Sequence, residues 1–142
     1  MKLEKDVCGS YKGGPLGESV EPRSFNMTCP SNGKLIIEKA QYGIHDRDSM
    51  EECCVDGKPC GKLPKFAFWM NSIDNDVKED LKKECESQVT ADQQTCIITA
   101  SGKRWNKNNH DYTFLAFWPS LRVIFYCENK DGYILQPYFN YL

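Results

Sequence analysis

Histidine is followed by aspartate twice, at His45-Asp46 and His110-Asp111, and a general base with an orienting carboxylate is the first chemistry such pairs suggest. Adjacent residues on a strand point to opposite faces, so neither aspartate would orient its own histidine there. Catalysis is therefore not the reading, and the chain is taken as a non-enzyme. Zinc is no better served, because there are only two histidines and the cysteines lack paired Cys-x-x-Cys knuckles. Asp46, Asp48, Glu51 and Glu52 offer oxygen ligands without a calcium loop of recognised spacing, and they read as a solvated acidic loop. No metal ion or cofactor is expected.

Non-covalent recognition is the other chemistry these residue types could do. A sugar needs several coplanar partners and often an aromatic face, all fixed by a scaffold. Gln41, Tyr42, His45, Asp46, Trp105 and Asn106 are the residues of the right type. Charge points to no nucleic-acid or anionic-membrane partner: the chain is close to neutral at -2, and its one basic cluster in the sequence, Lys103-Arg104 with Lys107, is short and reads as a solvated loop.

The eight cysteines, at 8, 29, 53, 54, 60, 85, 96 and 127, are even in number and dense for 142 residues, as in a framework of four bridges in an oxidising compartment. A direct bridge between Cys53 and Cys54 is disfavoured, since it would distort the peptide joining them. Asn26-Met27-Thr28 is a glycosylation acceptor triplet and agrees with an extracellular, secreted chain. No N-terminal apolar run has the form of a signal peptide, so a secreted protein would here be in its mature or trimmed form, with Met1 an added start residue. No segment is long enough to span a bilayer.

The elements that must position these residues follow from length and periodicity. One core, and hence one domain, suits 142 residues. Residues 1–28 read as an arm with glycine-bearing turns, tied down by Cys8, and residues 29–127 as the body. Residues 34–42 read as a strand with Leu35, Ile37 and Lys39 on one face and Ile36, Glu38 and Ala40 on the other, buried between two layers. Residues 45–64 form a cross-linked, turn-rich loop, and Phe66, Phe68 and Trp69 cover one end of the core or face a partner. The spacing of Ile73, Val77, Leu81 and Cys85 predicts a helix over 72–85, capped by Ser72 or Asp74. Residues 96–101 and 113–127 are β-rich, with a polar loop between them. The tail, 128–142, carries Tyr138 and Phe139 and is too apolar for a free linker, so it packs back on the domain or forms an interface, with oligomerisation through the aromatic surfaces a candidate outcome. The fold class is α+β: antiparallel sheets, disulfide staples and at least one packed helix.

Three stretches resemble the galactose/rhamnose-binding lectin domain of the sea-urchin-egg type. Cys29-Pro30-Ser31-Asn32-Gly33 leads a strand into Ala40-Gln41-Tyr42-Gly43-Ile44, similar to that family's Cys-Pro-x-Gly strand and its Ala-Asn-Tyr-Gly-Arg corner. Cys96-Ile97-Ile98-Thr99-Ala100-Ser101 and Leu121-Arg122-Val123-Ile124-Phe125-Tyr126-Cys127 follow in register, so the resemblance covers residues 29–127. It implies bridges from Cys29 to Cys127, from Cys85 to Cys96, and from Cys8 to Cys53 or Cys54, with Cys60 closing onto whichever of that pair is left. It implies a sugar pocket at Tyr42 and Gly43, with Gln41 in place of asparagine and Asp46 as the acidic residue after the corner. The pattern departs at Gly9, Ile44 and Trp118-Pro119, where the family has glutamate, arginine and lysine, and the Asp-Pro-Cys element is absent; Glu18 or Glu21 would have to replace the glutamate. The implied function is binding of a cell-surface or extracellular glycan. The alternative is a protein-interaction or assembly module on the same fold, with the sugar site lost.

Overall fold

The computed structural model describes residues 2–8, 24–43, 75–92, 94–100, 105 and 120–142. In chain order the elements are strands β1 (Leu3–Cys8), β2 (Ser24–Thr28), β3 (Lys34–Gly43) and β4 (Asn75–Asp76), helix α1 (Lys78–Glu86), and strands β5 (Thr95–Thr99), β6 (Ser120–Glu128), β7 (Ile134–Leu135) and β8 (Tyr138–Tyr141). Among the described residues the fold is a small α+β domain with two antiparallel sheets and a packed helix, α1.

The hub is β6. Its alternation of β-branched, aromatic and charged residues suits a strand with one buried face, and Leu121, Val123, Phe125 and Cys127 are indeed buried while Arg122, Ile124, Tyr126 and Glu128 are half-exposed. On one side it pairs with β1, Leu3 opposite Phe125 through Cys8 opposite Ser120, and at its far end with β7. On the other side lies β3, running from Lys34 opposite Glu128 to Gly43 opposite Ser120, with β4 added at Gln41 and Tyr42. The second sheet has the order β5-β2-β8. Phe25 and Met27 of β2 and Ile98 of β5 share one core with Ile37, Val123 and Phe125 of the first sheet. Phe139 of β8 joins the layers, stacking on Phe25 at 5.2 Å and tilting against Phe125 at 6.3 Å. Each such aromatic contributes up to about 3 kcal/mol by burial, which explains why the tail is drawn in as a strand.

Three sequence expectations change. The alternation expected along residues 34–42 is broken by a bulge, where the register shifts between Ile37 and Lys39. Glu38 is the extra residue, so Ile37 and Ala40, not Ile37 and Lys39, share the buried side, and Tyr42 follows them inward. The bulge keeps both charged side chains, Glu38 and Lys39, exposed.

The helix begins at Lys78, later than the 72–85 expected, because Asn75 and Asp76 extend to pair with β3 and the Val77 N–H donates to the Ala40 carbonyl at 3.0 Å. The Asp76 carboxylate accepts from the Lys78 N–H at 3.1 Å and supplies a first-turn acceptor. Ser72, Asp74 and Ile73 lie outside the described residues. The inward stripe otherwise holds, with Val77, Leu81 and Cys85 all buried.

The arm and the tail are built into the sheets: residues 3–8 and 24–28 are strands, and the tail supplies β7 and β8. Asn129 shapes the β6–β7 turn, its side-chain oxygen accepting from the Asp131 and Tyr133 N–H groups at 2.9 Å each, while Gly132 takes φ 88°, which a side chain would resist. Bridges join Cys29 to Cys127 and Cys85 to Cys96, the two pairs the resemblance implies. The pairings expected for Cys8, Cys53, Cys54 and Cys60 lie outside the described residues, as do Phe66, Phe68 and Trp69. Among the described residues no helix is long and apolar enough to cross a membrane.

Candidate functional site

The expected sugar corner closes β3 at the end opposite the Cys29–Cys127 bridge. Gln41, Tyr42 and Gly43 stand there in register with Arg122, Leu121 and Ser120 of β6. Period-two alternation sends Tyr42 inward, where it is fully buried, its ring 6.1 Å from that of Trp105 and tilted 58° to it. Trp105 is itself only 1% exposed. These two aromatics therefore form a wall under the corner and present no open ring face. Gly43 is buried and takes φ 157°, an angle that favours glycine. The other expected contacts, His45, Asp46 and Asn106, lie outside the described residues.

Gln41 faces the other way. Asp6, Arg122, Gln41 and Asp76 form one cross-strand row over β1, β6, β3 and β4. Arg122 makes a two-pronged contact with Asp6, its Nε donating to Oδ1 at 2.9 Å and its Nη2 to Oδ2 at 3.3 Å, and Glu4 lies 3.5 Å from Nε. Both members of the Arg122–Asp6 pair are 18% exposed, so the pair is largely shielded from solvent and fixed in orientation. Half-buried Gln41 beside it is the one expected sugar contact that the described residues place on a polar, partly accessible face. The sequence places Arg122 in the closing strand without marking it as a site residue; its signal is a charge inside an apolar strand run.

At the other end of β3 lies a cleft of about 870 Å³, bounded by the Ser31–Asn32 turn, α1 and the β6–β7 turn. Its rim carries Lys34, Lys78, Lys82 and Lys130, with Glu86 and Glu128. Among the described residues, β4 pairs with the edge of β3 only at Gln41 and Tyr42, away from this cleft. Nearer the start of β3, the Leu35 N–H turns instead to the Gln94 side-chain oxygen at 3.2 Å. The sequence signal for this cleft is the i, i+4 pair Lys78 and Lys82, one step around the helix from the buried stripe.

The acceptor Asn26 sits mid-strand in β2, opposite Ile97 and Asn140. It is half-buried, with its Oδ1 sealed from solvent and without a hydrogen-bond partner. The expected aromatic surface of the tail is divided: Phe139 is drawn into the core, whereas Tyr133, Tyr138, Tyr141 and Leu142 are exposed to between 40% and 70%. Compared with models of known protein families and with curated proteins, the chain matches none of them.

Proposed function

We propose that the chain is a secreted, non-catalytic binding domain resembling the galactose/rhamnose-binding lectins, and that it recognises a cell-surface or extracellular glycan. The observation that carries the proposal is the arrangement of β3: it starts where the Cys29–Cys127 bridge ties the end of β2 to β6, with Leu35 opposite Cys127, and ends in the Gln41-Tyr42-Gly43 corner beside the shielded Arg122–Asp6 pair. Such a corner offers fixed polar partners on a rigid base, which is what a weakly held sugar requires.

The test is a glycan array probed with the oxidised protein, with free galactose and rhamnose as competitors. Competable binding that Gln41→Ala reduces severalfold supports the proposal; competable binding unchanged in Gln41→Ala removes the corner as the site. Tyr42→Ala is the wrong probe taken alone, because a fully buried ring also holds the core.

A second reading, a protein-interaction or assembly module, is favoured by the exposed apolar residues at the tail, Tyr138, Tyr141 and Leu142, with Ile97 across the same sheet at 50% exposure. A blank array from protein without free thiols, together with self-association or partner binding that Tyr138→Ser lowers, supports that reading instead.

A further inference from the structure

We propose that the lysine-rimmed cleft between the edge of β3, helix α1 and the β6–β7 turn binds a glycan carrying several acidic groups, such as a sulfated oligosaccharide. The acidic character of the ligand follows from the cleft, while its being a glycan rests on the reading of the chain as a glycan-binding domain. The site is separate from the corner, at the opposite end of the same strand.

Charge points to the ligand. Four lysines and two glutamates line the cleft, leaving two positive charges there on a chain whose net charge is -2. Positive charge concentrated in a concave site of an otherwise acidic molecule attracts anions and discourages other partners. Lys78 and Lys82 are half-buried, unlike their exposed neighbour Lys83, so their stems lie along the cleft wall with less freedom to lose on binding.

Spacing argues against a single phosphate. The helix sets Lys78 and Lys82 about 6 Å apart at Cβ, Lys34 projects from the strand, and Lys130 comes from a third element. Lysine is a flexible point charge without the fork that grips one phosphate in two places. Four such charges on three elements suit acidic groups distributed along a chain of sugar rings. Between them, half-buried Leu35 and Val89 give an apolar floor for ring faces.

The experiment is calorimetric titration of the intact oxidised protein with a heparin-derived tetrasaccharide, its desulfated counterpart and a glutamate oligomer of equal charge. Double substitution Lys78→Gln and Lys82→Gln is compared with Lys83→Gln, which alters the same helix outside the cleft. The expected result is binding of the sulfated sugar alone, weakened roughly tenfold by the double substitution, unchanged by Lys83→Gln, and falling as salt is raised. No binding of the sulfated sugar, equal binding of the glutamate oligomer, or equal loss in Lys83→Gln overturns the inference. Galactose competition at the corner is read separately: it can persist when the cleft is overturned, and it can fail while the lysine-dependent binding stands.

Discussion

Tyr42 illustrates how one residue can serve structure where its type suggests recognition. Its ring is fully buried against Trp105, so Tyr42→Ala is expected to lower stability by about 3–5 kcal/mol, measured by urea unfolding of the oxidised protein. A loss of under 1 kcal/mol would mean that the ring is not part of the core. At the surface, Lys2 pairs with Glu38, the extra residue of the bulge, and that hydrogen bond with its charge raises the Lys2 pKa above the ordinary value of 10.5; the ammonium also lies over the Tyr126 ring at 5.4 Å. A raised folded-state pKa means that the pair's contribution is fully present below 10.5 and fades as the pH climbs through the folded value. NMR titration of the Lys2 side chain should show the raised value, and Glu38→Gln should return it to the ordinary one.

Among the elements, α1 has one apolar stripe, and Leu81 lies at its centre, fully buried. Leu81→Ala should cost about 2–5 kcal/mol in denaturant unfolding, whereas Lys83→Ala, on the exposed side, should cost under about 0.5 kcal/mol. The edge of β5 has its own guard. The Gln88 side chain donates to the Ile97 carbonyl and accepts from the Ile97 N–H, both at 2.8 Å, imitating a neighbouring strand. Gln88→Ala should cost about 1–2 kcal/mol and increase concentration-dependent association, read by light scattering. The helix stripe was legible because its period comes from side chains alone. The start of the helix was not, since Asn75 and Asp76 are held extended by β3, a partner far away in the chain. The bulge was hidden for a similar reason: a strict alternation and one shifted at Glu38 use the same residues, and the registers of Ile37 with Phe125 and Lys39 with Ile124 decide between them.

At the scale of the molecule, the two bridges among the described residues differ in what they restrain. Cys29–Cys127 spans 98 residues and Cys85–Cys96 only 11, so on the chain-entropy model replacing both cysteines of the long bridge by alanine should cost about 4–5 kcal/mol, and of the short one about 3. Thermal unfolding of the two variants checks the order. The β-rich class, the packed helix and the strands near 34–42 and 121–127 are written in composition and periodicity, but the hub position of β6 is not, and the arm and tail were not recognised as strands. Leu3–Cys8 carries charges at Glu4, Lys5 and Asp6, and it becomes a strand through Arg122 and the β6 ladder. Of the candidate corner, the strand pattern placed Gln41 and Tyr42 at the end of a strand, but the bulge at Glu38 decided which of them turns inward, and the burial of Trp105 depended on packing that no local pattern encodes. The central position of β6 also has a kinetic consequence. Because β1, β3 and β7 all pair with this strand, and β2 waits for β8, neither sheet can be completed until residues 120–141 have been synthesised. The 85–96 bridge, by contrast, can close on a chain still being extended. Folding dominated by such distant pairings belongs to the millisecond-to-second range, and a cell making this protein must keep the earlier apolar strands from aggregating until their partner arrives.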